Sequence, residues 1–383
     1  MKGIFHLNGT VKNYDWGGFS FLPRLLHLEN PQKKPFAEYW LGTHGSGRTT
    51  VRTNGDSRVL EEFTGSLPYL FKILDVREML SIQVHPPKEL AVGGFEYENQ
   101  KGIALNDPQR NFRDPNEKPE LMVAISEFWL LHGFKPLEEL HDIMVNVPEL
   151  SELLPVFHNS GYQGLYSLVM KMPQSEVNRI LEPLHRKLLK EAERRALEKN
   201  TEDFWAARAL HSFTREGNID RGIFSVYFFN LLKLQKGKGI YQPPGVPHAY
   251  LEGRNVEIMG SSDNVLRGGL TNKPISIDEL LKHTRCEPLY PKIIEPEGSG
   301  ALKTYQIPTD LFRLSSIEIP SGGSVSWKPS GNEILMIVEG EGRVTAGDTS
   351  LPFGEGSLSI LISGMPEVRV DADKTSLIFR AEG

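Results

Sequence analysis

One cysteine, Cys286, is all that 383 residues contain, which excludes an internal disulfide and any cysteine-rich zinc site. With no apolar leader after Met1, the expectation is a protein of a reducing compartment, the cytoplasm. No uninterrupted apolar run approaches the roughly 20 residues of a membrane-spanning helix, so no membrane partner is expected. Basic excess is lacking too: 43 Lys and Arg against 49 Asp and Glu leave a net charge of −6. That excludes the broad positive field with which proteins hold nucleic acid or anionic lipid, and a small anionic ligand would need a local basic cluster. What remains is an ordinary globular composition, 39% hydrophobic and 24% charged, long enough for two or three domains and a large core.

The texture changes along the chain. The first 130 or so residues are rich in Gly, Pro and Thr, with alternating runs at Arg48–Arg52 and Tyr69–Leu74 that predict short strands and few long helices. Pro136–Val147 predicts a helix with proline in its first turn. Over Gln174–Lys199, the residues Val177, Ile180, Leu181, Leu184, Leu188 and Ala192 form one helical stripe. Thr201 is a candidate N-cap for the helix after it. Strand texture returns near Asn230, at Leu231–Gln235 and Gly239–Gln242, and again beyond Pro288, at Ile334–Val338, Gly342–Ala346 and Leu358–Ile362. Pro243-x-Gly245-x-x-His248 and Gly340-Glu341-Gly342-Arg343-Val344 are turn-and-strand patterns of double-sheet jelly rolls, the cupins among them. The expected fold is mainly β with an inserted α-helical domain: a cupin-type jelly roll over 1–134 and 230–287, helices over 135–229, and a second cupin-like β domain over 288–383. In that last part Pro352-x-Gly354 and Gly356-Ser357 are followed by no histidine, which predicts a copy without metal.

Four scattered residues suit a metal. In Leu80-Ser81-Ile82-Gln83-Val84-His85-Pro86 the apolar residues alternate with Ser81, Gln83 and His85, so those three point the same way. Glu120 in Lys118-Pro119-Glu120 and His248 in Pro247-His248-Ala249 complete a nitrogen and oxygen set. Zinc takes such ligands and leaves a position open in catalytic sites; Fe(II), Mn(II) and Co(II) also accept them. Gln83, being neutral, would leave the ion more electrophilic than a third carboxylate would. The loop from Glu257 to Lys273 is dense in Gly, Ser, Asp and Asn and ends with Arg267 and Lys273, a composition able to bind phosphate. His44, His132, His141 and His211 have no partner pattern and read as structural.

With Lys12-Asn13-Tyr14-Asp15-Trp16-Gly17, Ala37-Glu38-Tyr39-Trp40-Leu41-Gly42-Thr43-His44, Ser81–Pro86, Lys118–Glu120, Pro247–Tyr250 and Ser262-Asp263-Asn264-Val265-Leu266-Arg267 followed by Gly269-Leu270-Thr271, the chain resembles type I mannose-6-phosphate isomerase nearly end to end. The resemblance implies one zinc per chain on Gln83, His85, Glu120 and His248, with Ser81, Lys118, Glu257, Asp263, Arg267 and Lys273 in the active site. It implies reversible isomerisation of mannose 6-phosphate and fructose 6-phosphate through a zinc-stabilised enediol, feeding mannose metabolism and GDP-mannose, by a cytoplasmic monomer. Arg267, Lys118, Glu257 and Asp263 are then the catalytic candidates, and Ser81, Lys273 and Trp16 the candidates for holding the phosphosugar. Many relatives carry His before Lys-Pro-Glu, where this chain has Glu117; a role of that histidine in proton transfer falls to a carboxylate here or moves elsewhere. A phosphosugar-binding cupin without catalysis is the alternative reading.

Overall fold

The computed structural model describes residues 2–53, 55–354 and 356–383. Three sheets of eleven, eight and four strands carry the architecture, with helices concentrated between residues 137 and 228. The spine of the eleven-stranded sheet runs Gly239–Gln242, Glu120–Ala124, His248–Gly260, Tyr69–Val76, Glu38–Gly42, all antiparallel. The 13-residue strand His248–Gly260 serves two partners in turn. Its second half pairs with Tyr69–Val76 and Glu120–Ala124, and its first half with Phe128–Phe134 and Gln83. The change comes at a register shift between Tyr250 and Glu252, followed by Gly253 at φ +130. A Cβ there would lie 2.5 Å from the Glu127 carbonyl oxygen, so only glycine lets the two backbones approach this closely.

Strand alternation then sorts the side chains. One face of this sheet turns inward with Trp40, Leu70 and Met259 together, and Leu74, Met122, Ile240 and Tyr250 together. On the opposite face Phe71, Ile73, Leu121, Val123, Val256 and Ile258 pack against Leu314, Ile334, Met336, Leu361 and Phe379 of the eight-stranded sheet. The outer side of the remaining strands, through Val84, Leu131, Ala249 and Leu266, backs instead onto the helices, whose Phe157, Leu181, Leu184 and Trp205 share the same core. The inward face is thus walled on both flanks by apolar packing, worth about 25 cal/mol per Å² removed from water.

The eight-stranded sheet pairs with the four-stranded one over an apolar interior of Ile317, Leu335, Ile337, Val344, Ile360 and Val370. Its strands come mostly from residues 302–382, but Gly3–Asn8 joins them by pairing with Ser359–Ser363. The predicted helix over Pro136–Val147 is Leu137–Asn146 with Pro136 at its N-cap. That expected over Gln174–Lys199 ends earlier, at Glu193: Leu188 is its last buried apolar residue, Ala192 is exposed, and Arg195 turns to φ +54. Thr201 does sit at the N-cap of Glu202–Phe213, with its hydroxyl donated to the Glu198 carbonyl. In the first 130 residues, where helices were expected to be scarce, Lys88–Gln100 is a 13-residue helix. It buries only Ala91 and Glu98, so it lacks the stripe by which amphipathic helices show in sequence. No helix among the described residues is long and apolar enough to cross a membrane.

Candidate metal centre and active site

His85, Glu120 and His248 come from three segments that the sheet register brings together. His248 opens the long strand directly opposite Gln83, His85 follows Gln83–Val84, and Glu120 opens its strand between Gln242 and Met259. One ligand atom from each of the three lies within 4.8 Å of the others. Nε2 of His85 is 3.2 Å from Glu120 Oε1, and Nε2 of His248 is 3.2 Å from Glu120 Oε2. All three are buried, at 1%, 3% and 4% exposure.

The outer nitrogens fix the tautomers. Nδ1 of His85 is 2.8 Å from the Asn264 carbonyl and Nδ1 of His248 is 3.0 Å from that of Val246, so each Nδ1 carries the proton as donor and each Nε2 is left bare toward Glu120. His85 Nε2, although close to a carboxylate, has no hydrogen-bond partner. Burial, and after it the Lys118 ammonium, push the His85 pKa down to about 4 against the pull of Glu120. Burial disfavours the Glu120 carboxylate, yet the Lys118 ammonium, and after it the two histidines beside it, hold its pKa well below the usual carboxylate range. A neutral His85 imidazole beside an ionised Glu120 carboxylate is the pairing of protonation states that a metal requires. This donor set fits zinc. Gln83, half-buried and directly across from His248, presents its amide on the same face.

Beside the three lies a line of buried polar groups. Lys118 Nζ is 3.0 Å from Glu120 Oε1. Glu257 Oε1 is 2.5 Å from Lys72 Nζ, while Glu257 Oε2 accepts the Tyr250 hydroxyl at 2.6 Å, which in turn accepts from Gln242 Nε2 at 2.7 Å. Glu38 accepts the Trp40 indole N–H. Burial works against the Lys72 charge, but Glu257, Glu38 and Glu120 outweigh it and raise its pKa above the ordinary value. Lys72 and Gln242 were not singled out in the sequence. A signal for Lys72 exists: it is the one cation inside the apolar strand Tyr69–Val76.

Asp263 and Arg267 stand at the rim. Asp263 is exposed, with Oδ2 3.5 Å from His44 Nε2, and the His44 ring meets that of Trp40 edge-on at 5.6 Å; His44, read as structural, therefore borders the site. Arg267 is directly opposite Gln83. Burial lowers its pKa and Arg113 lowers it further; Lys273 is lowered by burial, then by Arg267 and Arg113. The three cations form a group with no carboxylate in ion-pair range among the described residues. Ser81 is half-buried just before Gln83. Trp16 stacks on Tyr14 at 5.8 Å and packs against the apolar cluster of Leu74 and Val76. Burial and the charges of Glu38 and Asp263 raise the pKa of Tyr14. Neither Ser81 nor Trp16 has a side-chain hydrogen bond to the ligand group. Glu117 lines a pocket of about 490 Å³ with Pro119, Tyr241 and the segment 307–311.

Residues 4–137 match the catalytic domain of type I phosphomannose isomerase. Over nearly the whole length the chain is similar to curated mannose-6-phosphate isomerases: 32% identity to that of Escherichia coli strain K12, covering 95% of this chain and 96% of the other, and 32% to that of Bos taurus, covering 99% and 98%. A crystal structure of the mannose 6-phosphate isomerase from Salmonella typhimurium, described as bound to its substrate fructose 6-phosphate and to zinc, superposes with a TM-score of 0.86 at 29% identity over 99% of both chains. A zinc-bound mannose 6-phosphate isomerase superposes with a TM-score of 0.87, again over 99% of both.

Proposed function

The chain belongs to the type I phosphomannose isomerase family, and on that premise we propose that it is an enzyme interconverting mannose 6-phosphate and fructose 6-phosphate, with zinc held by His85, Glu120, His248 and Gln83. The observation that carries this is the buried His85, Glu120 and His248 group with Lys118, Lys72 and Glu257 ranged beside it, in a chain alike over 99% of its length to a relative bound to zinc and fructose 6-phosphate. The bound ion supplies Lewis-acid polarisation of the sugar oxygens, which makes a proton α to a carbonyl acidic enough to move.

The isomerisation is an internal redox exchange. The C2–H bond breaks, its electron pair forms the C1–C2 double bond as the C1=O π pair moves onto O1, which takes a proton to give the enediol. The O2–H proton then leaves, the C2=O bond forms, and the C1–C2 π pair takes a proton at C1. Glu257 is the proton carrier in this reading, since Lys72 and Tyr250 fix both its oxygens and so aim the carboxylate. Lys118, beside Glu120, donates to a sugar oxygen and assists ring opening together with Asp263. Arg267 balances the negative charge that grows on the enediol oxygens, a contact made only in the transition state. Lys273 and Ser81 hold the phosphate, and Trp16 shapes the wall behind Tyr14. Dense apolar packing around the inward face keeps water from the intermediate. Lys118, Glu257 and Arg267 are all present, which argues for turnover over mere sugar binding.

Part of the same reading is the division into a cupin jelly roll, a helical insertion and a second cupin-like unit without metal, supported by the polar interior of the first and the apolar interior of the last. A cytoplasmic monomer supplying GDP-mannose precursors completes it. The test is an isomerase assay on mannose 6-phosphate with the purified protein, before chelation, after it, and after zinc return. Turnover lost and regained is the expected result; no turnover in the zinc-loaded protein overturns the proposal.

A further inference from the structure

Asn264 is 0% exposed, and its side-chain amide is saturated. Oδ1 accepts the backbone N–H of Arg113 at 2.8 Å and of Asp114 at 3.4 Å. Nδ2 donates to the Asp114 carbonyl at 2.8 Å, to Asp114 Oδ1 at 3.3 Å and to the Asn116 carbonyl at 3.1 Å. Its own N–H is donated to Ser262 Oγ at 3.1 Å, and its carbonyl accepts Nδ1–H of His85 at 2.8 Å. Asp263 N–H reinforces the seam by donating to Asp114 Oδ2 at 2.8 Å.

Through its side chain and its carbonyl, Asn264 joins three stretches that lie far apart in sequence. Residues 113–116 run directly into Lys118 and Glu120, residues 262–264 into Arg267, and the carbonyl reaches His85 across 179 positions. A histidine that ligates a metal is oriented by what its other ring nitrogen donates to, and disturbing that acceptor typically costs about 10–100-fold in metal affinity. We infer that Asn264 is a positioning residue of the metal centre: its side chain locks loop 113–116 to loop 262–264, so that its own carbonyl sets the ring of His85 relative to Glu120. The inference rests on the metal reading of His85, Glu120 and His248. Aspartate cannot replace it, because it offers no donor to the three oxygens and would set two carboxylates 3.3 Å apart at Asp114. Exchanging both, as Asn264→Asp with Asp114→Asn, removes the carboxylate pair and restores a donor at that one contact, while the carbonyls of Asp114 and Asn116 stay without one.

The test measures zinc affinity by chelator competition, and the visible absorption of the cobalt-loaded protein, for the wild type, Asn264→Ala, Asn264→Asp and the Asn264→Asp/Asp114→Asn double variant. Expected are a zinc Kd about 10–100-fold weaker in the single variants, a changed cobalt spectrum, and partial recovery of both in the double variant relative to Asn264→Asp. A role confined to holding the loops lowers the melting temperature and leaves both metal readouts of the folded protein as in the wild type; that result overturns the inference. Where Asn264→Ala does not fold, the comparison of Asn264→Asp with the double variant decides by the same two readouts. A wild type that binds neither metal overturns the metal reading itself, whereas a metal-binding wild type beside unchanged variants overturns only the role of Asn264.

Discussion

Gln83 and His248 are directly opposed across an antiparallel strand pair, and Arg267 stands opposite Gln83 on its other side. Directly opposed residues share a face, which places the one neutral oxygen donor of the candidate set between a histidine on one neighbouring strand and an arginine on the other. Replacing the amide with a carboxylate tests what its neutrality does. Gln83→Glu is expected to bind zinc at least as tightly as the wild type at neutral pH while lowering turnover by about tenfold or more, since added negative charge weakens a Lewis acid. Zinc content by elemental analysis and kcat on the loaded protein check this; unchanged kcat removes Gln83 from the metal's surroundings.

Arg267 has no carboxylate in ion-pair range among the described residues, and burial with Arg113 lowers its pKa. An unpaired cation kept at a cost is a functional group more readily than a structural one. Arg267→Ala is expected to reduce kcat by about 10²–10³-fold with zinc still bound and the melting temperature nearly unchanged. Near-normal turnover would take Arg267 out of the mechanism.

The parts of this site that local pattern reveals are those with a local cause. His85 stands out because Ser81, Gln83 and His85 alternate with apolar neighbours, and Glu120 and His248 because each follows a short motif with proline. Lys72 is harder: a lysine inside an apolar strand reads as an exposed edge residue until Glu38 and Glu257 are found on the strands either side of it. Nothing local marks Asn264, whose partners lie about 150 positions away. The same limit holds for the fold. Gly3–Asn8 pairs with Ser359–Ser363, a match set by the final assembly, and helix Lys88–Gln100 hides because it buries only Ala91 and Glu98. Trp16, marked by its motif, packs behind Tyr14 against an apolar cluster, a placement that periodicity does not encode.

His132 is opposed to His248 in the strand register and is 3% exposed. Burial, and after it His248, push its pKa down to about 3. The folded value is thus below the unfolded value of about 6.5, so between the two the unfolded chain takes up a proton that the folded chain refuses. Stability is intact above pH 6.5 and falls as the pH drops toward 3, by up to about 1.4 kcal/mol per pH unit from this site. His85, pushed to about 4, adds a loss of the same sign. Urea unfolding of zinc-free protein at pH 7 and pH 5 checks this: His132→Leu is expected to lose about 2 kcal/mol less than the wild type over that interval. Equal losses would contradict it.

Lys72 and Glu257, at 6% and 2% exposure, form a buried pair whose value lies in each cancelling the other's charge. Lys72→Met leaves Glu38 and Glu257 buried without their cation and is expected to cost about 3–5 kcal/mol in chemical unfolding. Lys72→Met/Glu257→Gln removes one charge of each sign and is expected to be less destabilised than the lysine variant alone, a coupling that a double-mutant cycle measures directly. Because Lys72 titrates above its ordinary value in the fold, its contribution is complete below the unfolded lysine pKa and is lost as the pH rises through the folded one. The wild type should therefore lose more stability than the double variant in strongly alkaline solution. Activity separates the two roles of Glu257: if it carries the proton, restoring the stability of Lys72→Met by adding Glu257→Gln recovers the fold and no turnover, and recovered turnover would assign proton transfer to another group.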